Sequence, residues 1–449
     1  MPTIQPIRAL TYSTTTPGVL AGNDISNRIA PPYDVLDEGP KQNLLAKDPH
    51  NIVAVDLPVT PPKTVGPDTA YEAAAQTFQS WINEGIFTQS DDPAIYAYEQ
   101  EYTVKDQTFK RRGIFTALGL QDFNQPNGIF RHEMTIQGGI DDRYKLMAAT
   151  QSQLSPIFGI YADPKKQVAN QLGDIYNSAP SFTGTTPNDN VIHRIWTITD
   201  PSIITPLQSF FEASPVYIAD GHHRYTTALQ YHKDNPGNAL AANCLFVLVA
   251  AEDPGMIVLP THRIITGMKN FNMEAFIHTM AKRDDVVIRA AECSADELGD
   301  LEMILPKLSG GVGGHHDMGI YDPVTESAYI FATNDADPLV KTHADKPAVW
   351  RELDVAILQH LLVDQILTPQ FAPQGEKLSY KYTADINDFK SLCEEKDPGD
   401  QPRLGVIMQS TPLQSVMDVS LANEVMPPKS TYFFPKLATG LVMNPLRDV

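Results

Sequence analysis

The stretch IADGHHRYTTAL carries the side chains best suited to chemistry, at Asp220, Gly221, His222, His223 and Arg224. An apolar strand pattern runs into the glycine, and a helical pattern follows at once. The first turn of a helix offers unpaired backbone N–H groups that attract anions. Glycine permits close approach to a ligand, and arginine can grip two phosphate oxygens. The pattern predicts a phosphate-binding loop in which Asp220 either caps the helix or holds Mg²⁺.

The motif HEMT follows the strand-like GIF and places His132 beside Glu133. A glutamate at the end of a strand can act as a general base toward a hydroxyl, or it can bind a metal ion. The alternative is a solvated loop, which is the usual environment of glutamate. We therefore treat Glu133 and His132 as candidate catalytic residues, together with His222 and Asp220.

Two further motifs offer groups that suit an anion or a substrate. PTHR places His262 and Arg263 at the end of a predicted strand, where they either complete the anion pocket or lie in a surface loop. PPYDV puts Tyr33 and Asp34 on a rigid turn that either orients a substrate or serves packing.

The C-terminal motif PPKSTYFFPK contributes Lys429 and Lys436 as candidate phosphate-binding residues, although it lacks the GxxxxGK[ST] pattern of a P-loop. Arg143, in DDRYKL, is a candidate substrate-binding residue. Gly310 to Gly314 match no dinucleotide-binding fingerprint in a strand–helix context, so we interpret this stretch as a loop.

The elements that position these residues alternate between strand and helix patterns. AIYAYEQEYTV and FKRRGIFTALGL alternate apolar and polar residues around KDQT, which predicts paired strands. DDRYKLMAATQSQL predicts a helix with Asp141 and Asp142 in its first turn. LDVAILQHLLVDQIL predicts an amphipathic helix. The fold class expected is α+β, with a mixed sheet and additional helices.

The length of 449 residues predicts more than one structural unit. We expect an N-terminal α/β region over 1–125 and a core with the HEMT, DGHHR and PTHR motifs over 126–269. We also expect a β-rich insertion over 270–341. The C-terminal region over 342–449 contains the predicted amphipathic helix and PPKSTYFFPK.

The formal net charge of -20 repels polyanions, so no nucleic-acid partner is expected. The three cysteines are widely spaced without a CxxC pair, which favours a reducing compartment and disfavours a cysteine-based zinc site. Neither a signal-peptide pattern nor a long apolar run is evident. These features predict a cytoplasmic protein without a membrane partner.

Several motifs in this order resemble those of a large uncharacterised bacterial family, a domain of unknown function, over nearly the whole chain. They are PPYDV, HEMT with DDRYKL, IADGHHRYTTAL, LPTHR and MPPKSTYFFPKLATGL. Its DGHHR core is similar to the phosphate-binding motif of the ParB/sulfiredoxin superfamily, which includes the free serine kinases. The resemblance implies a ParB/sulfiredoxin-like core. Sulfiredoxins carry a cysteine where this chain has His222, so sulfinic acid reduction is not expected.

The resemblance and the motifs lead to one main hypothesis, a phosphotransfer enzyme, kinase or phosphatase, acting on a small hydroxylated metabolite such as serine. Mg²⁺, held by Asp220, and ATP or ADP are the expected cofactors, and the partner is a small phosphorylated substrate. One alternative is a nucleotide-sensing regulatory or partner-binding protein without turnover. Another is a metal-dependent hydrolase built from His132, Glu133, His222 and His262. The motifs predict no particular oligomeric state.

Overall fold

The computed structural model describes residues 2–14, 22–187, 189–269, 271–290, 315–373, 375–395 and 403–448. The predicted loop at Gly310 to Gly314 lies outside these ranges. Within them the chain alternates short strands and helices, as the pattern of apolar residues predicts.

Most of the strands are short. In chain order they are β1 (Ile4–Gln5), β2 (Leu10–Tyr12), β3 (Phe87–Gln89), β4 (Ile95–Val104), β5 (Gln107–Gly119), β6 (Ile129–Phe130), β7 (Ser152–Gln153), β8 (Ile157–Tyr161), β9 (Phe182–Thr185), β10 (Ile192–Ile198), β11 (Val216–Asp220), β12 (Asn243–Ala250), β13 (Ile257–Leu259), β14 (His262–Thr266), β15 (Val286–Ala290), β16 (His315–Asp322), β17 (Ser327–Thr333), β18 (Ser379–Thr383), β19 (Leu404–Ile407), β20 (Tyr432–Phe434) and β21 (Asn444–Pro445).

The helices lie between these strands. They are α1 (Glu38–Lys47), α2 (Val53–Asp56), α3 (Asp68–Asn83), α4 (Gln137–Thr150), α5 (Gln167–Leu172), α6 (Pro201–Phe211), α7 (His222–Asp234), α8 (Met273–Met280), α9 (Ala348–Arg351), α10 (Asp354–Ile357), α11 (Thr368–Phe371), α12 (Ile386–Glu394) and α13 (Leu413–Leu421). Short 3₁₀ turns occur at Tyr33–Val35, Ile175–Asn177 and Ala239–Ala242, and Leu358–Leu367 form a π-helix that continues α10.

The chain divides into two compact units, and the second is inserted into the first. The first unit contains Met1–Ile257 and Phe433–Val449, and the second contains Val258–Tyr432. This division differs from the four predicted regions, because strands from different predicted regions are hydrogen-bonded to one another in the same sheet. In the first unit β5 of the first predicted region pairs with β12 of the second along seven residues.

A mixed sheet organises the first unit. Among the described residues its order is β6-β11-β8-β12-β5-β4-β10-β9, with β1 added alongside β5. The pairs β11 with β6 and β12 with β8 are parallel, and the others are antiparallel. The predicted hairpin is confirmed, since β4 and β5 pair in register around a turn in which Lys105 and Asp106 have positive φ.

The core of the first unit lies between one face of this sheet and its helices. Ile114, Phe246 and Leu248 point from the sheet, and Phe211 of α6 and Tyr225 of α7 pack against them, all almost completely buried. The side chain of Asp200 caps α6 by accepting the Ser202 N–H, and Pro201 occupies the first turn. Burial of this apolar layer fixes where β11 ends and α7 begins.

The second unit has a sheet of its own, ordered β15-β17-β16-β19-β14-β18 in the described ranges. Strands β16 and β17 of this sheet pair antiparallel. The predicted amphipathic helix spans α10 and the π-helix, and its apolar residues Leu361, Leu362 and Ile366 are buried. The α+β fold class predicted from the sequence is confirmed. No helix in the described part of the chain is long and apolar enough to cross a bilayer.

Two local predictions differ from the structure. Helix α4 begins at Gln137, so Asp141 and Asp142 lie in its second turn rather than its first. His262 and Arg263 lie inside β14 rather than in a loop after a strand, because Pro260 ends the preceding strand and a new one starts two residues later. Proline lacks the N–H that a strand ladder needs, which accounts for the interruption.

Candidate functional site

The predicted loop lies where β11 meets α7 in the first unit. Gly221 is the residue before the helix and has φ 97°, a left-handed conformation that only glycine adopts readily. A β-bulge between Ile218 and Asp220 bends the strand just before it. The first helical bond runs from the Tyr225 N–H to the Gly221 carbonyl, and no side chain caps the helix. The cap predicted at Asp220 is therefore wrong, and the amides of the first turn remain available for an anion.

Asp220 instead makes two ion pairs. Its carboxylate lies 2.7 Å from the Arg224 guanidinium and 3.0 Å from the Lys436 ammonium. Arg224 also donates to the Pro156 carbonyl. Burial disfavours the ionised carboxyl, but Lys436 and Arg224 outweigh it and hold the pKa of Asp220 well below its usual range. Arg224 is thus directed inward, rather than presenting its fork to a phosphate.

His222, the first residue of α7, is 2% exposed and lies between His132 and Glu133. Its Nδ1 is 3.6 Å from the Glu133 carboxylate, and its ring meets the His132 ring edge to face at 4.7 Å. The buried Nε2 atom of His222 has no hydrogen-bond partner among the described residues. Burial and the neighbouring His132 hold the pKa of His222 well below its ordinary value, so the ring is neutral at pH 7.

Glu133 is the exposed member of this group, with 42% of its side chain open to solvent. Burial lowers the pKa of its neighbour His132 to about 4. The structure thus brings together His132, Glu133 and His222, which the sequence offered as candidates in two separate motifs. A surface carboxylate beside a buried neutral imidazole is an arrangement that can accept a proton from a ligand.

His223 connects α7 to α4. Its Nε2 accepts the backbone N–H of Ile136, the residue before α4, at 3.0 Å. Accepting this bond requires a neutral ring. Burial and nearby Lys63 agree with that state, since they lower the pKa of His223 to about 4. A Cβ on Gly139 would lie 2.8 Å from the ring, so the first turn of α4 packs directly on His223.

The PPYDV turn lies against Arg143 of α4. The Arg143 guanidinium covers the Tyr33 ring at 3.8 Å, and Asp34 pairs with Lys63 at 3.2 Å. Arg143 also bonds Asp142 at 2.7 Å and the Asp56 carbonyl at 2.7 Å. Burial opposes its charge, but Tyr33 and the two carboxylates raise the pKa of Arg143 above its ordinary value. Arg143 therefore holds three elements together as well as being a candidate for substrate binding.

Several supporting residues did not emerge from the sequence. Asp56 accepts a bond from Ser155 at 3.0 Å, and Tyr71 donates to Asp142 at 2.8 Å. A cavity of about 40 Å³ lies beneath the loop, bordered by Asp56, Ser155, Arg224 and the buried Cys244 among others. Adjacent opposite charges in DDRYKL were the only local signal of this network.

Arg111 is a second supporting residue that sequence reasoning missed. It is 1% exposed, and it donates to Gln100 and to the carbonyls of Phe434 and Pro435. These bonds hold the segment that delivers Lys436 to Asp220. The double arginine in FKRRG was a possible signal, because a charged residue on the apolar face of a strand needs a specific partner.

The remaining predicted residues lie in the second unit. His262 accepts the Met408 N–H at 3.1 Å through Nδ1 and packs edge to face on Phe389. Arg263 donates to the carbonyls of Thr261 and Lys429. These contacts join PTHR to the PPK segment within that unit, as parts of its packing.

The described residues contain no group of three histidine, cysteine, aspartate or glutamate side chains close enough to hold a metal ion. Asp220, the predicted Mg²⁺ ligand, already uses both oxygens for Lys436 and Arg224. A cation there would have to displace one of them. The residues present therefore do not fit a metal site at Asp220.

Three comparisons with known proteins place the chain. Residues 4–356 match the family described as "Protein of unknown function (DUF1015)". No curated protein matches. Similar solved structures include a free serine kinase mutant in complex with AMP, with 10% identity and a TM-score of 0.32 over 68% of this chain and 83% of that one.

Two other solved structures are similar to the same degree. A conserved hypothetical protein from Pyrococcus furiosus has 14% identity and a TM-score of 0.30 over 69% of this chain and 88% of that one. SbnI with a C-terminal truncation, from Staphylococcus aureus, has 9% identity and a TM-score of 0.32 over 71% of this chain and 84% of that one. Such low scores carry no argument about what this chain does. The family match covers most of the chain, as the resemblance to a domain of unknown function predicted, and the protein belongs to the DUF1015 family.

Proposed function

We propose that this protein is a phosphotransfer enzyme acting on a small hydroxylated metabolite, with ATP or ADP as the nucleotide partner. The observation that carries the proposal is the convergence of two uncapped helix starts on His223, beside the pair Glu133 and His222. This arrangement combines a site for a multiply charged anion with a general base, which are the parts that phosphoryl transfer needs.

The two helices run side by side in the same direction. Contacts join Ile136 to His223 at their starts, Ile140 to Thr227 one turn on, and Tyr144 to Asp234 farther along. Parallel helices add their dipoles, so partial positive charge accumulates at the paired N-termini. Neither first turn contains an acidic residue to neutralise it. A phosphate group is the ligand that this end of the pair would favour.

Lysines rather than Arg224 would supply the remaining positive charge in this proposal. Lys436 and Lys63 each hold one carboxylate, and an ammonium group has three donors, so each can also contact a phosphate oxygen. We assign Asp220 and Arg224 to keeping Lys436 and the loop in place. Because Asp220 does not fit a metal ion, its role here is electrostatic and needs no Mg²⁺.

Glu133 is the proposed general base. In the kinase direction its carboxylate accepts the proton of the substrate hydroxyl, the hydroxyl oxygen bonds to the terminal phosphorus of the nucleotide, and the bond from that phosphorus to its bridging oxygen breaks, so that ADP leaves from ATP or AMP leaves from ADP. The neutral His222 beside it can direct its Nδ1–H toward Glu133 and so orient the carboxylate. In the phosphatase direction a water molecule gives its proton to Glu133 and its oxygen bonds to the phosphorus of a phosphomonoester, while the bond from that phosphorus to the substrate oxygen breaks and the alcohol leaves.

The test combines binding and turnover with the full-length protein. Titration calorimetry with ATP, ADP, CTP and inorganic phosphate measures affinity, and ³¹P NMR of mixtures with serine and other small alcohols detects phosphorylated product. We expect Glu133→Gln to reduce product formation by about 10²- to 10⁴-fold while leaving nucleotide affinity within about threefold. The matched control Glu72→Gln, an exposed glutamate of α3, should change neither quantity.

Two outcomes contradict the proposal. Absence of binding by every nucleotide and phosphate probe would remove the anion site. Binding without product for any hydroxyl compound or for water would instead favour a nucleotide sensor without turnover.

A further inference from the structure

A second cavity lies in the first unit, away from the DGHHR loop, and has a volume of about 340 Å³. This size falls within the range of small-molecule sites. Its walls come from the ends of β8 and β12, the start of β5, helix α5 and the turn after β12. The lining residues that matter here are Arg112, Tyr161, Leu172, Tyr176, Glu252 and Asp253.

The cavity and the loop occupy opposite ends of β8. Phe158, near the start of the strand, pairs with Asp220, whereas Tyr161 at its end lines the cavity. Three residues of extended strand separate these positions by about 10 Å. None of the loop residues from Asp220 to Arg224 lines the cavity, so it is a site of its own.

Most of the wall is apolar. Tyr161, Val168 and Leu172 are nearly buried members of the hydrophobic core that present their sides to the cavity. Tyr176 forms another wall, with its hydroxyl bonded to the Gly113 carbonyl at 3.1 Å and its ring covered by Arg112 at 4.5 Å. Rings and aliphatic groups held in this way favour an aromatic or aliphatic ligand body.

Two of the cations around the cavity have carboxylate partners that do not line it. Arg112 pairs with Glu99 at 2.8 Å, and Lys110 lies 3.5 Å from Glu99 and 3.3 Å from Glu101. Lys166 is exposed at the rim, where water screens its charge. Arg112 and Lys110 are thus directed to carboxylates outside the cavity rather than to those that line it.

The carboxylates are in the opposite situation. Asp253 accepts only backbone N–H groups, from Gly255 at 2.8 Å and Arg112 at 3.3 Å, and forms no ion pair in the described chain. Glu252, which is exposed at the rim like Lys166, accepts the Asp163 N–H at 2.8 Å and forms no ion pair within the described residues. Burial raises the pKa of Asp253 to about 6, and the N–H groups of Gly255 and Arg112 and the charges of Arg111 and Arg112 only partly offset this effect.

We propose that this cavity binds a small primary amine whose aromatic or aliphatic body lies between Tyr161, Leu172 and Tyr176. The ammonium group would pair with Asp253, and with Glu252 at the rim, neither of which forms an ion pair with another described residue. The ion pair with the ammonium group and the burial of the ligand's apolar body would both favour binding. The inference does not depend on the phosphotransfer proposal.

The probe is 2-phenylethylamine, titrated into the full-length protein at pH 7.5 by calorimetry, with 2-phenylethanol and phenylacetate as neutral and anionic analogues. We expect saturable amine binding with a Kd on the order of 1 mM or tighter, at least tenfold weaker binding of the alcohol, and none of the acid. Asp253→Asn should weaken the amine at least tenfold, because the amide still accepts the Gly255 N–H but carries no charge.

Two further variants guard against a general loss of structure. Ala169→Trp, at an exposed lining position, should abolish binding by filling the entrance, with an unchanged thermal midpoint. Asp92→Asn removes the same charge at an exposed site outside the cavity and should bind like the wild type. Equal binding of the amine and the acid, no binding of the amine, or unchanged affinity in Asp253→Asn or Ala169→Trp would each overturn the proposal.

Discussion

The two units each contain a histidine and an arginine close in sequence, and the two pairs have different environments. In the first unit His222 and Arg224 stand at the start of a helix behind a left-handed glycine. In the second, His262 and Arg263 lie within β14, where neighbouring strands and loops use their polar atoms. The residue types are the same, but the backbone around them differs.

The difference shows that available backbone amides, rather than side-chain types, distinguish the candidate site. A strand inside a sheet satisfies its N–H groups in the ladder, whereas the first turn of a helix leaves them without intrahelical partners. His262 accepts a backbone N–H and so completes the packing of its own sheet. His222 retains a buried nitrogen without a partner in the described chain, beside an exposed carboxylate.

The largest expected effect separates the two histidines by activity. His222→Gln should lower the rate of phosphoryl transfer by about 10²-fold, since the imidazole that orients Glu133 is lost. His262→Gln should leave the rate within about threefold, because its contacts belong to packing in the other unit. Initial rates of product formation at saturating substrate measure both. Equal losses in the two variants would remove the functional distinction between the pairs.

The two arginines should differ in their contribution to stability. Arg224→Met leaves Asp220 with one cation instead of two and should lower the free energy of unfolding by about 3 kcal/mol. Arg263→Met removes bonds to two carbonyls without exposing an unpaired carboxylate and should cost about 1 kcal/mol. Urea unfolding at pH 7 compares them, with Lys233→Ala on the surface of α7 as a control. A larger loss for Arg263 would contradict the structural assignment.

The buried imidazole of the second unit should make stability depend on pH. Burial, with Arg263 nearby, lowers the pKa of His262 to about 4, so the unfolded chain binds a proton on this ring below about pH 6.5 while the folded chain does not. Stability is therefore lost as the pH falls from about 6.5 toward 4. At pH 5 this residue should account for about 2 kcal/mol of the loss relative to pH 7.

Urea unfolding of His262→Gln at the two pH values measures that contribution. The variant should be less sensitive to the change from pH 7 to pH 5 than the wild type. An identical pH dependence would show that His262 is not the buried neutral base that its contacts with Met408 and Phe389 indicate.

The smallest effect concerns the contact between the two helices of the first unit. Gly139→Ala places a methyl group 2.8 Å from the His223 ring and should displace it, weakening phosphate affinity by about tenfold, or about 1.4 kcal/mol. Gly39→Ala in α1 meets no atom within 4 Å and should leave affinity unchanged. Phosphate titration by calorimetry distinguishes the two, and unchanged affinity in Gly139→Ala would separate His223 from the anion site.

Local patterns predicted the strand, glycine and helix of the loop because each is encoded within a few neighbouring residues. Glu133 was found by the same logic, as a polar residue directly after β6. Its proximity to His222 could not be derived, since it depends on β6 and β11 being parallel neighbours in the sheet.

The sequence could not indicate which way Arg224 points. An arginine four residues after an aspartate on a helix can pair with it or reach outward, and packing against Pro156 determines the choice. Lys436 is 216 residues away from Asp220, so no local pattern relates them. The start of α4 was placed too late because Gly138 and Gly139 are poor helix formers, and contact with His223 outweighs that preference.

The position of Lys436 has a consequence for how the protein is made. Translation finishes the first unit's loop long before it reaches this lysine, because the entire second unit is synthesised in between. Until then Asp220 has only Arg224 as a counter-charge, and Arg111 lacks the carbonyls of Phe434 and Pro435. A nascent chain therefore carries an incomplete site until Lys436 has been synthesised.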